Sequence, residues 1–277
     1  MGLRIYSNIP SQTVQMNLRE ISGKGQKELE RLSSGKRITK AADDAAGLAI
    51  SKNLEAQTLG LRQATRNAND GISLVQTAEG GLNEVSNILV RLRELSVQSA
   101  SDTVGETERS FLDKEYQQLL TEIDRISEAT VFNGTQLLNG EGAGTLDFQV
   151  GAFAGEQNII SFDSSETDAS TGSIGVDGTG VTEKDSALDS IASLDEAIDQ
   201  VSGQRSNLGA IQSRLASTVN NLEIQTINQD SARSVIEDVD VANSTAELAS
   251  ANVLKQAGIS SLAQANNLPN SALRLIS

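Results

Sequence analysis

Apolar residues recur at every seventh position over most of two long stretches. Leu54, Leu61, Ala68, Val75, Leu82 and Leu89 are each seven apart, and Ala64, Gly71, Ala78, Val85 and Leu92 fill the companion positions. A seven-residue repeat keeps one narrow stripe of a helix facing a partner helix. Residues from about Ala45 to Ala100 therefore read as one helix, roughly 84 Å long at the usual rise. The triplet Asn69-Asp70-Gly71 looks locally like a turn, but the repeat keeps phase across it, so helix is expected there. Asp43 and Asp44 are placed to cap its start. A second seam follows near Asp185, with Leu194, Val201, Leu208, Leu215 and Leu222 in one register. Ile191, Ile198 and Val219 lie in the other, which Arg205 and Gln212 interrupt. The two prolines, Pro10 and Pro269, are near the ends, so the residue that most reliably stops a helix is missing in between.

The remaining segments are weaker. Val14, Leu18, Ile21, Leu29 and Leu32 mark a narrow stripe near the start, with weak positions at Gly25 and Glu28. Thr103-Val-Gly-Glu106 has capping-box spacing before a helix striped by Leu112, Tyr116, Leu119, Ile123 and Ile126. Asn133-Gly134 signals a hairpin. Leu146, Phe148 and Val150 alternate at period two and then turn into Ile159, Ile160 and Phe162. Residues 131–163 thus form a β-hairpin region, followed by a short polar, flexible loop over 164–184. Glu237-Asp-Val-Asp240 reads as a joint before a last amphipathic helix carrying Leu248, Leu254, Ile259 and Leu262, with Leu268 just beyond it.

The fold class expected is mainly α: a long-helix antiparallel coiled-coil bundle with a small β-hairpin region. The two strong seams can pair within the chain. The end helices have narrow stripes and no obvious globular partner, and such helices are marginal alone in water. They must pack on other subunits or stay disordered.

Composition narrows the function. Cysteine and histidine are both absent, which excludes sites that need thiolate or imidazole, whether for metal or for nucleophilic catalysis. The carboxylates are spread along helix faces, so no catalytic, cofactor or metal residues are expected and an enzyme is not the reading. Aromatics are only 3%, which suits helix seams better than a thick globular interior. A net charge of −15 argues against nucleic acid as a partner. Residues 163–199 hold ten carboxylates and one base, Lys184, and read as a solvated face. The first 44 residues are locally basic, with eight Lys and Arg against five acids. That flank suits either an anionic lipid surface or the exposed side of a packing helix, and the second is favoured. The first residues lack the apolar region of a cleavable signal peptide. No apolar run reaches the ~18 residues that would span a bilayer, so membrane insertion is not expected.

Several strings together resemble the bacterial flagellins. At the amino end these are Leu32-Ser-Ser-Gly-Lys-Arg-Ile38, Asp43-Asp-Ala-Ala-Gly-Leu-Ala-Ile50, Arg66-Asn-Ala-Asn-Asp-Gly71, Gln76-Thr-Ala-Glu-Gly80 and Arg93-Glu-Leu95. At the carboxy end they are Leu208-Gly-Ala-Ile-Gln212, Ser231-Ala-Arg233, Ile236-Glu-Asp238, Leu262-Ala-Gln-Ala-Asn266 and Pro269-Asn-Ser-Ala-Leu-Arg-Leu-Ile276. The resemblance covers residues 1–160 and 185–277, and between Phe162 and Lys184 only a short polar stretch stands where larger relatives insert β-rich outer domains. It implies a minimal, secreted, non-enzymatic subunit that polymerises into the flagellar filament for swimming motility.

The resemblance also implies paired terminal helices, 1–43 with 237–277, forming an inner-tube domain, and a core helical domain over 44–236. The polymerisation residues would be Val14, Leu18, Ile21, Leu29, Leu32, Leu248, Leu254, Ile259, Leu262 and Leu268. Implied partners are further copies of the chain, the flagellar type III export apparatus with its export chaperone, and the hook-junction and cap proteins. A host toll-like receptor would contact Arg91, Leu95, Gln98 and Glu115. The alternatives are a hook–filament junction protein and, from another class, an intracellular coiled-coil scaffold. The sequons Asn133-Gly-Thr and Asn243-Ser-Thr read as chance; Ser and Thr over 161–182 are better placed for O-linked glycan.

Overall fold

The structure is a computed structural model that describes residues 7–140 and 144–274, with side chains as far as 267. Five helices dominate: α1 (Ile9–Ser34), α2 (Ala45–Ser99), α3 (Glu106–Ala129), α4 (Lys184–Glu237) and α5 (Val241–Arg274). Two antiparallel hairpins lie between α3 and α4. The first pairs β1 (Val131–Phe132) with β2 (Thr135–Gln136); the second pairs β3 (Thr145–Gln149) with β4 (Ile159–Asp163). The expected class, mainly α with long antiparallel helices and a small hairpin region, is the observed one. The chain divides into two compact units, residues 1–56 with 228–277 and residues 57–227.

In the unit 57–227, one buried cluster runs through both seams. Ala68, Val75, Leu82 and Leu89 from α2 lie with Leu194, Val201, Leu208 and Leu215 from α4, all buried. The ion pairs Lys184–Asp102 and Arg93–Asp195, then Gly71 beside Leu215, then Leu61 with Leu222, show that the two helices run in opposite directions. Helix α3 adds Tyr116, Leu120 and Ile123 to the same cluster. The Asn69-Asp-Gly71 triplet is helical, and Gly71 faces a close approach. A Cβ there would stand 3.2 Å from the Phe148 ring and 3.3 Å from Leu215, so a larger residue would push the β3–β4 hairpin or α4 back by a few tenths of an ångström. Asn67 fixes the same hairpin by donating to the Gln149 carbonyl at 2.9 Å.

Three local expectations need correction. The capping box at Thr103 does not form: α3 starts at Glu106 after Gly105 with no side-chain cap, and Thr103 instead pairs with the Ser101 hydroxyl. Of the two aspartates before α2, only Asp44 caps it, accepting from the Gly47 N–H at 2.8 Å. Asp43 takes the Thr39 and Lys40 amides instead. The polar segment 164–184 is not a loose loop, because Thr167, Ala169, Ile174, Val176 and Val181 are buried. Asp124 on α3 accepts from the Thr171 N–H and hydroxyl, while Gln204 on α4 donates to the Asp168 carbonyl. A few well-spaced aliphatic residues suffice to strap a serine- and glycine-rich segment onto a bundle. The composition hid them.

Candidate assembly surface

In the unit formed by the chain ends, α1 and α5 pack closely on each other. The end helices therefore pair with each other, as the resemblance implies though neither stripe alone reveals a partner, and the weak positions of the α1 stripe explain how. Gly25 faces Ala251, whose Cβ would be 3.6 Å from an added Cβ, and Gly258 faces Leu18 at 3.2 Å. Small residues on both helices let the backbones approach, so two narrow stripes cover each other. Glu28, the other weak position, is buried and ion-paired with Arg31 at 2.8 Å. At the far end, Asn8 caps α1 by accepting from the Ser11 N–H and donates to the Ala265 carbonyl at 3.0 Å; the Ser11 hydroxyl donates to Asn266 at 2.8 Å. Asparagine at the cap with proline in the first turn is a readable helix start that heptad periodicity alone does not reveal.

A polar joint closes the other end of the pair. The Arg37 N–H donates to the Glu237 carbonyl at 2.6 Å and the Val239 N–H to the Gly35 carbonyl at 3.1 Å. The left-handed conformation of Gly35, φ 70°, ends α1 and turns the chain into this joint. The buried Glu237 carboxylate accepts from Lys36 and from the Ser51 hydroxyl at 2.5 Å. Those two donors, Lys36 foremost, hold its pKa below the usual glutamate range. Asp43 is likewise depressed, first by Lys27 at 2.7 Å and then by the Lys40 and Thr39 donors. The basic flank of the first 44 residues is thus largely consumed within the unit: Lys24 pairs with Glu20, Lys40 with Glu30, and Lys27, Arg31 and Lys36 as above.

The pairing leaves apolar surface uncovered. Of the expected polymerisation residues, Val14, Leu18, Ile21, Leu32, Leu248 and Leu262 are half-buried, while Leu29, Leu254 and Ile259 remain 59%, 53% and 53% exposed. Leu268 lies outside the residues whose side chains are described. Ile9, Met16, Val241 and Val253 extend the exposed set and were not singled out from the sequence. Between α1 and α5 a cleft of about 250 Å³ is lined by Ile21, Gly25, Leu29, Leu248, Ala251 and Lys255 among others. The exposed aliphatic side chains lie on both helices of the pair.

The second group of expected contact residues splits. Arg91 and Glu115 are exposed and bonded to each other at 2.8 Å, with Arg91 also held by Glu94. Gln98 is exposed, but Leu95 is 1% exposed and belongs to the core. It follows the seam residue Leu92 by three positions, on the same side of the helix. Among the described residues, no cluster of acidic side chains suits a metal ion, and no helix is long and apolar enough to cross a membrane.

An antiparallel helical bundle whose two chain ends form an incompletely covered pair defines a self-associating structural protein. Comparison with known proteins makes the class specific. The family model for the bacterial flagellin N-terminal helical region matches residues 5–143, and that for the C-terminal helical region matches 191–276. A flagellin of Halalkalibacterium halodurans is 44% identical over 98% of this chain and 99% of its own length. The Bacillus subtilis flagellin is 40% identical over 99% and 100%, and a flagellar filament core protein of Brachyspira hyodysenteriae is 39% identical over 98% and 99%. Among solved structures, a Bacillus cereus flagellin is 30% identical, with a TM-score of 0.51 over 57% of this chain and 88% of that one. A hook-associated flagellar protein of Vibrio parahaemolyticus, 16% identical with a TM-score of 0.58, covers 70% of this chain and 99% of that one and shares the fold alone. The chain belongs to the bacterial flagellin family. It is a structural subunit of the flagellar filament, not an enzyme, and of the minimal type without outer domains.

Proposed function

We propose that the paired ends, residues 1–43 with 237–277, are the polymerising element and line the inner tube of the filament, with residues 44–236 as the next shell outward. The observation that carries this is the uncovered aliphatic set Leu29, Leu254 and Ile259, joined by Ile9, Met16, Val241 and Val253. Val14, Leu18, Ile21, Leu32, Leu248 and Leu262 hold α1 and α5 together and so shape the surface that neighbours meet; Leu268 completes the set on family resemblance.

An apolar α5 must be kept from premature association, which suits a chaperone that holds it before passage through the flagellar type III export apparatus to the cell exterior. The hook-junction and cap proteins are the structures between which such subunits add. A host toll-like receptor would find Arg91, Gln98 and Glu115 accessible in a single subunit, with Leu95 acting only from beneath as packing. The junction-protein alternative has no separate observation in its favour.

Complementation tests the reading. A strain lacking its own filament subunit should regain filaments, seen by electron microscopy, with the wild-type chain. It should not regain them with Leu29, Leu254 and Ile259 all changed to Asp, although that chain is secreted and folded. Filaments of normal length from the triple variant would overturn the proposal.

A further inference from the structure

We infer that Asn133 is a site of spontaneous, water-dependent deamidation and isoaspartate formation, and that the fold protects the chain's other Asn-Gly pair, Asn139-Gly140. The same dipeptide stands in two environments six residues apart.

Asn133 is exposed at the tip of the β1–β2 hairpin, and its side chain makes no hydrogen bond among the described residues. Gly134 is outside the strand ladder, which pairs Val131 with Gln136 and Phe132 with Thr135. A Cβ at Gly134 would meet nothing within 4 Å, so no more distant part of the chain packs against the turn there. Attack by the Gly134 nitrogen on the Asn133 Cγ forms a five-membered succinimide, and the side-chain nitrogen leaves as ammonia. The proton lost from the Gly134 amide goes to water, which protonates the departing amide. Water then opens the ring at one of its two carbonyls. Opening at the side-chain carbonyl returns aspartate; opening at the main-chain carbonyl leaves isoaspartate, whose backbone passes through the side-chain carbon. There is no change in oxidation state.

Asn139 is held differently. Its amide nitrogen donates to Gln136 at 2.6 Å, its carbonyl oxygen is buried, and Gly140 sits against the Asp168 carboxylate, which an added Cβ would meet at 2.6 Å. Closing the ring there requires breaking the Gln136 bond and moving a half-buried side chain whose oxygen is buried.

The product matters structurally at Asn133. A two-residue hairpin loop fixes the register of its strands. One extra main-chain carbon breaks that register just ahead of Leu137 and Leu138, which are fully buried, with Leu137 donating to the Thr130 carbonyl at 3.1 Å.

The test is ageing of the purified full-length chain in mildly alkaline buffer, folded and in denaturant, with peptide mass spectrometry and isoaspartyl-specific methyl transfer as readouts. In the folded chain Asn133 should convert several-fold faster than Asn139; in denaturant the two rates should converge. Asn133→Ser should remove most of the isoaspartate signal from the folded chain. Equal rates in the folded chain, or faster loss at Asn139, would overturn the inference, as would an undiminished signal in the Ser variant.

Discussion

Removing one exposed and one buried leucine should separate assembly from folding. Leu254 on α5 is 53% exposed, whereas Leu82 on α2 is fully buried. Complete burial of a leucine side chain contributes about 1.5–3 kcal/mol, so roughly half of that, about 0.8–1.5 kcal/mol, is still available at Leu254 when a neighbour covers it. Leu254→Ala should therefore raise the critical concentration for polymerisation roughly four- to tenfold where one neighbouring subunit covers that side chain. It should change monomer stability by no more than about 0.5 kcal/mol, as exposed substitutions do. Leu82 has nothing left to gain from a neighbour. Leu82→Ala should instead destabilise the bundle by about 2–5 kcal/mol, through the forfeited transfer energy and the cavity left behind. Sedimentation of seeded polymer gives the critical concentration, and far-ultraviolet circular dichroism with denaturant gives stability. If Leu254→Ala lowered monomer stability like Leu82→Ala while leaving the critical concentration unchanged, the assignment of α5's uncovered face to assembly would be refuted.

Three further outcomes follow from the geometry. Gly258→Val should push α5 from α1, because a Cβ there already stands 3.2 Å from Leu18; overpacking of about 1–3 kcal/mol should appear as faster proteolysis of residues 9–34 with 57–227 unaffected. Acid should loosen the polar joint. Glu237 and Asp43 have depressed pKa values in the folded chain, so their stabilisation is complete above the ordinary carboxylate range, near pH 4–4.5, and fades as pH falls through the lower folded values. Glu237→Gln should flatten that acid limb, read by hydrogen exchange at residues 35–51 across a pH series. Tyr116→Phe should cost about 0.5–1.5 kcal/mol in chemical denaturation, since the buried phenol bonds the Thr179 hydroxyl at 2.8 Å.

The seams of α2 and α4 are legible because burial on one face imposes a period that survives local noise, as at Asn69-Asp-Gly71. The hairpins are legible from Asn133-Gly134, where Asn133 adopts φ 49° and Gly134 φ 83° as a tight turn requires. The α1–α5 pairing is hidden because it rests on Gly25, Ala251 and Gly258, and a stripe of large apolar residues counts small ones as gaps. Its polar ends are hidden for another reason: Asn8 to Ala265 and Lys36 to Glu237 join residues some two hundred or more apart, a distance over which periodicity carries no information. The strap over 164–184 is obscured for want of contrast, since its buried Ala169, Ile174, Val176 and Val181 are isolated among Ser, Gly and Asp. Leu95 is expected at a surface only when a matched motif is weighed above its place one helical turn from the seam residue Leu92.

Hydrogen exchange of the same chain as monomer and as polymer bears most directly on the role of the ends. Amides of α1 and α5 should gain strong protection on polymerisation, while those of residues 57–227 change little, because the bundle is already closed on itself. Equal protection of α1 and α5 in the two states would mean that neighbours add nothing to the terminal pair.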